Sequence, residues 1–302
     1  MSDAQGPCAA RHLVAARRGL RALAANGQSH VTTGEAGTRL HWRHWGPPDA
    51  PALVLLHGGH GAWTHWARNI EALAAAGRSV WVPDMPGFGD SDTLPGPPHA
   101  PDRMVRLVAA LEQGLRQLIG THTRFDLAGF SFGGLVAAQW ACGPAMGRVG
   151  HLALLGTAGH GGERPRTIEL INWRRLAGAE RWQAHADNLA LLMLHDRARI
   201  DAHALVLHAD ASRATRFRSK AISRDAQLAD ILTPYRGALL LLWGEHDVTG
   251  RPQQIGPTLL QGRPERRLHI LPDAGHWVQY ERPDATHALL LDMFASGTCS
   301  PS

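Results

Sequence analysis

The pentapeptide Gly129-Phe130-Ser131-Phe132-Gly133 has the pattern G-x-S-x-G, with the strand-like run Arg124–Ala128 before it and the helix-like run Gly134–Cys142 after it. Strand, sharp turn and helix in that order leave a chain few folds to choose from. A serine at the apex of such a turn takes a positive φ, and only neighbours without bulk fit where the backbone doubles back. Gly129 and Gly133 are those neighbours. The turn presents the hydroxyl, which still needs a base to take its proton before it becomes a useful nucleophile. Three further pieces are therefore expected: a glycine-rich loop upstream, then an acid, then a histidine downstream. All three occur in that order.

The short runs Arg39–Trp45, Leu53–Leu56, Ser79–Pro83, Arg124–Ala128, Leu152–Leu155, Ala238–Trp243 and Arg266–Leu271 read as strands. Helical patterns over Trp63–Ala76, Pro101–Ile119 and Pro283–Ala295 fall between or after them. This alternation predicts an α/β fold, a mostly parallel sheet covered on both faces, with its functional groups beyond the carboxyl ends of the strands. Residues 157–231 interrupt it: Trp173, Leu176, Trp182, Leu189 and Met193 recur at near-helical spacing and no buried strand is evident. They read as a helical cap inserted over that end of the sheet. The expected organisation is an N-terminal extension over 1–30, a core over 31–156 and 232–296, the cap over 157–231 and a tail over 297–302. Within the extension, Ala9–Ala25 reads as a short surface helix or a frayed segment.

Composition narrows the function classes. Hydrophobic residues make up 44% and charged ones 19% of 302 residues, values of an ordinary globular chain. No apolar stretch approaches the roughly 20 residues of a membrane span. Arg11, Arg17, Arg18 and Arg21 break up the N-terminal apolar pattern, unlike a secretory signal. The three cysteines, Cys8, Cys142 and Cys299, are far apart and form no metal or redox motif, so a reducing, cytoplasmic setting is expected. The net charge of +5 comes from scattered arginines with Lys220 as the sole lysine, and no basic-aromatic stripe points to nucleic acid. The expected partner is a small-molecule substrate, with no cofactor and no metal. Oligomeric state is open, a homodimer included.

Each chemical piece follows a strand. Ser131 is the expected nucleophile. His57-Gly58-Gly59-His60-Gly61 follows Leu53–Leu56, and its Gly59 N–H would join the Phe132 N–H in holding a tetrahedral oxyanion. Each such donor is worth about 10²–10³ in rate. His57 is expected to brace that loop through backbone hydrogen bonds. Asp247, after Ala238–Trp243, would orient the base; Glu245 is the second choice, and Asp126 lies inside the strand before the turn. His276, in the glycine-containing loop after the last strand, would take the Ser131 proton and return it to the leaving group. Asp84 is expected to cap a turn through nearby N–H groups. Trp63, Trp66 and Tyr280 divide evenly between pocket lining and packing, whereas Trp277, beside His276, is expected near the floor of the site.

The motifs His57-Gly58-Gly59, Asp84-x-Pro86-Gly87-Phe88-Gly89-x-Ser91, Gly129-x-Ser131-x-Gly133, Gly244-x-x-Asp247 and Gly275-His276 resemble the α/β-hydrolase superfamily, serine branch, over roughly residues 38–296. Within it, Gly275-His276-Trp277-Val278-Gln279-Tyr280-Glu281 is similar to the meta-cleavage-product hydrolases and related esterases. That resemblance implies cleavage of a carbon–carbon bond in vinylogous diketone acids by the same serine, acid and histidine under a helical lid. It also implies an arginine on the substrate carboxylate, for which Arg174 and Arg175 are the candidates. Two departures stand out: Phe130 and His65 occupy places where that subgroup usually carries asparagine, which points to a less polar or different substrate. The residues expected to contact substrate are His60, His65, Phe130, Arg174, Arg175 and Trp277. A cofactor-independent serine hydrolase of carboxylic esters or related acyl compounds is the first reading. A carbon–carbon hydrolase is the alternative, and a binding protein without catalysis is the reading from another class.

Overall fold

Runs of Val, Leu and Ala too short for helices and bounded by turns form most of an eight-stranded sheet in a computed structural model, which describes residues 7–165, 167–225 and 227–295. The strands are β1 Gln28–Thr33, β2 Arg39–Trp45, β3 Ala52–Leu56, β4 Ser79–Pro83, β5 Phe125–Phe130, β6 Val149–Leu155, β7 Ala238–Gly244 and β8 Arg266–Leu271. Their order is β1-β2-β4-β3-β5-β6-β7-β8. The β1–β2 and β2–β4 pairs are antiparallel and the other neighbours are parallel. Every residue of β3, β4 and β5 is buried, as parallel strands covered on both faces require.

The period-2 alternation of β3 divides the core. Val54 and Leu56 point into one apolar cluster, and Leu53 and Leu55 into the other. α3 (Arg103–Ile119) supplies Leu107, Leu111 and Leu115 to the first, one turn apart. α2 (Ile70–Ala75) and α9 (Pro283–Ala295) supply Ile70, Leu73, Leu290 and Met293 to the second.

Two elements differ from the sequence expectation. β1 crosses the expected boundary at residue 30, because its one large apolar residue, Val31, is exposed and gives no hydrophobic signal. It is held by backbone pairing with β2. The expected helix Trp63–Ala76 is a 3₁₀ turn, Trp63–Trp66, followed by α2. The break leaves Asn69 facing inward, where its amide donates to the Gln279 carbonyl at 3.0 Å.

Between β6 and β7 the chain is helical, with no strand among the described residues of 157–231. A 3₁₀ turn (Trp173–Arg175) precedes α5 (Gly178–Asn188), α6 (Ala202–Ala214), α7 (Ser219–Asp225) and α8 (Leu228–Ile231). The N-terminal helix α1 (Pro7–Ala25) is not frayed. It packs on α6, Arg17 pairs with Asp210 at 2.8 Å, and buried Leu23 accepts a hydrogen bond from Trp45 Nε1 at 3.1 Å. The expected tail over 297–302, with Cys299, lies outside the described residues. No described helix is long and apolar enough to cross a membrane.

Candidate active site

β5 ends at Phe130, α4 (Phe132–Ala141) begins at Phe132, and Ser131 between them has φ 54° and ψ −117°. That left-handed geometry is costly for any residue with a Cβ and persists only where its surroundings enforce it. The flanking glycines make room for it: a Cβ on Gly129 would overlap the Gly133 carbonyl, and one on Gly133 would lie 2.6 Å from the Leu56 carbonyl oxygen. The Ser131 N–H donates to the Leu155 carbonyl of β6 at 2.8 Å, which ties the apex to the sheet.

The structure brings three distant side chains together there. Ser131 Oγ lies 2.9 Å from His276 Nε2, and His276 Nδ1 lies 2.8 Å from Asp247 Oδ2. The carboxylate can only accept, so the network puts the imidazole proton on Nδ1 and leaves Nε2 to accept from the serine. Burial alone would raise the Asp247 carboxyl; the adjacent His276 and hydrogen bonds from His276 and Thr249 outweigh it and hold that carboxyl below the usual range. The His276 loop is stapled by buried Glu281, which accepts from the N–H groups of Gly275 at 2.7 Å, Asp196 at 2.7 Å and His195 at 3.2 Å. Glu245, the second-choice acid, is exposed and bonds toward the Asp273 backbone rather than His276. Asp126 sits among Arg78 and His151, on its own strand.

Behind Ser131 the glycine-rich loop is braced as its histidine predicts. His57 Nδ1 donates to the Gly58 carbonyl at 2.9 Å, and Nε2 accepts from the Met85 N–H at 3.0 Å. Asp84 caps its turn by accepting from the Trp63 N–H at 2.8 Å and the Asp90 N–H at 3.0 Å. Gly59 and Phe132 line the same cavity as Ser131, and among the described residues neither N–H has an acceptor.

That cavity, about 760 Å³, also exposes His60, Phe130 and His276. It does not include four residues the sequence reading placed against substrate. His65 and Trp277 are fully buried behind the loop. His65 Nδ1 accepts from the Gly58 N–H at 3.2 Å, and Trp277 Nε1 donates to the His65 carbonyl at 3.0 Å. Arg174 and Arg175 lie on the exposed 3₁₀ turn, with Arg174 over the Trp173 ring. Trp63, Trp66 and Tyr280 pack in the core. The lining instead recruits Arg164 and His160 from the loop after β6, Lys220 and Arg224 from α7, and Thr249 from the loop after β7. The sequence reading missed these five. Periodicity gives a helix a face but says nothing of which loop that face meets, and Asp247-x-Thr249 was the one local signal.

Residues 53–289 match the alpha/beta hydrolase family. The chain belongs to that family. The hydrolase is 32% identical to the 2-hydroxy-6-oxononadienedioate/2-hydroxy-6-oxononatrienedioate hydrolase of Escherichia coli, over 86% of this chain and 93% of that one. A second hydrolase of that description, from Pseudomonas putida, is 28% identical over 87% and 94% of the two chains. Among solved structures, the carboxylesterase CesB from Bacillus subtilis superposes with a TM-score of 0.71 at 20% identity, covering 95% of this hydrolase and 98% of CesB.

Proposed function

We propose that this hydrolase is a cofactor-independent serine hydrolase of carboxylic esters or related acyl compounds, with Ser131 as nucleophile, His276 as general base and acid, and Asp247 as its orienting partner. The observation that carries the reading is the continuous chain Ser131 Oγ–His276 Nε2 at 2.9 Å and His276 Nδ1–Asp247 at 2.8 Å, opening on a cavity. Ser131 Oγ attacks the carbonyl carbon as its proton passes to His276 Nε2. The oxyanion is held by the Gly59 and Phe132 N–H groups, which face the cavity without other acceptors. The imidazolium then gives its proton to the leaving group, and water, activated by the same imidazole, frees the acyl-enzyme. The helical segment between β6 and β7 forms the cap over a core that begins with β1 at Gln28.

The walls of the cavity divide by character. Phe130 gives an apolar wall beside Ser131, and the lining carries three cations, Arg164, Lys220 and Arg224, against a single carboxylate, Glu169. None of these three cations is paired among the described residues, whereas Arg17 and Arg197 have Asp210 and Asp187. The substrate accordingly carries an anionic group away from the scissile carbonyl. The second reading, carbon–carbon cleavage in an acidic dienoate, is favoured by the names of the relatives and uses the same serine, histidine and oxyanion donors.

A panel of nitrophenyl esters of a monoacid and of the matching dicarboxylic half-acid, set against an oxo-dienoate, separates the readings. Expected are ester turnover, a higher kcat/KM for the half-acid that falls with added salt, and a loss of about 10⁴-fold or more in Ser131→Ala. A kcat/KM for the dienoate above both esters moves the assignment to carbon–carbon cleavage. Undiminished turnover by Ser131→Ala overturns both.

A further inference from the structure

Asp247 has two carboxylate oxygens, and only one of them meets the histidine. Oδ2 receives the His276 Nδ1–H, while Oδ1 accepts from both the backbone N–H of Thr249 at 2.8 Å and its hydroxyl at 2.7 Å. The same Thr249 oxygen lies 3.3 Å from His276 Nδ1. We propose, resting on the serine-hydrolase reading above, that Thr249 is a positioning residue that locks the Asp247 carboxylate in the orientation that serves His276.

A carboxylate turns about its terminal torsion with little preference of its own. In water that freedom is harmless; here the Asp247 side chain is fully buried, and the described residues give it no donors besides Thr249 and His276. With two donors from one residue on Oδ1, rotation breaks two charge-assisted bonds at once. Gly156 packs against the same pair, where any Cβ would stand 3.2 Å from Asp247 Oδ2 and 3.1 Å from His276 Nδ1. Thr249 also forms cavity wall, so its side chain separates the carboxylate from substrate and water. Its hydroxyl gives its one proton to Asp247, which turns an oxygen lone pair toward the Nδ1–H and its developing positive charge. The other titratable or charged groups that act on this pair are His160 and Arg164 from the loop after β6 and His65 from the 3₁₀ turn after β3.

Thr249→Val keeps the branched shape and the N–H but removes the hydroxyl, whereas Thr249→Ser keeps the hydroxyl and removes the methyl. For Thr249→Val, expected are a kcat lower by about tenfold, the order of one hydrogen bond to a charged acceptor, and a KM within about twofold. Thr249→Ser restores kcat with KM again unchanged. Thr249→Ala, measured alongside, provides a second loss of the hydroxyl should the valine variant misfold. A folded Thr249→Val or Thr249→Ala with unchanged kcat overturns the proposal, and so does a serine variant as impaired as the valine one. Wild-type protein that turns over no ester and takes no fluorophosphonate on Ser131 removes the serine reading itself and this inference with it.

Discussion

At Ser131 the backbone decides what the side chain can do. A φ of 54° aims Oγ at His276 and brings the next N–H, that of Phe132, to the same cavity. Asp247→Asn keeps the shape of the orienting group but removes its charge and replaces one acceptor oxygen with an NH2 donor. Expected is a loss of about 10⁴-fold in kcat/KM near neutral pH, read by ester hydrolysis, with the far-ultraviolet spectrum unchanged. Activity within tenfold of wild type would assign the orienting role elsewhere. The positions of Ser131, Asp247 and His276 were legible in sequence, because each stands just beyond a strand of a predictable sheet. Thr249 was not, because its bonds to Asp247 depend on how tightly the loop turns. Nor were Arg164 and Arg224, which come from a loop and a helix whose meeting no periodicity encodes.

Among the elements, α1 shows how burial and charge divide the work. Its ion pair with α6, Arg17 to Asp210, is about 40% exposed on each side (39% and 43%). Its end carries Leu23, 8% exposed, in the cluster that contains Trp45 and Trp63. Exposed pairs are worth about 0–1 kcal/mol, whereas a buried leucine cut to alanine costs about 2–5 kcal/mol. Leu23→Ala should therefore lower the urea midpoint clearly and Arg17→Ala hardly at all; the reverse ranking would mean that α1 is held by charge. The same contrast explains which elements the sequence revealed. β3, β4 and β7 are apolar runs, and β5 leads straight into G-x-S-x-G, so they were readable. β1, held by backbone pairing with its valine outside, was not.

Across the whole molecule, the histidines make the fold sensitive to acid. Burial, with His185 and His60 nearby, pushes His208 down to about 3, and burial likewise lowers His57 and His65. A histidine whose folded value lies below its unfolded one gives its full stabilisation above about pH 6.5. It loses that contribution as pH falls toward the folded value, because the unfolded chain takes the proton first. The slope is about 1.4 kcal/mol per pH unit for each such group. Urea midpoints should accordingly drop between pH 7.5 and 5.0, and by less in His208→Gln; equal midpoints at both pH values would contradict this. The proposed mechanism depends on that folded assembly bringing one hydroxyl to one imidazole. The most direct measurement is the intact mass and peptide map of the protein after brief exposure to a fluorophosphonate, for wild type and His276→Ala. Expected is a single adduct on Ser131 in wild type, formed far more slowly without the imidazole; no adduct on Ser131, or equal rates in the two proteins, would contradict a serine activated by His276.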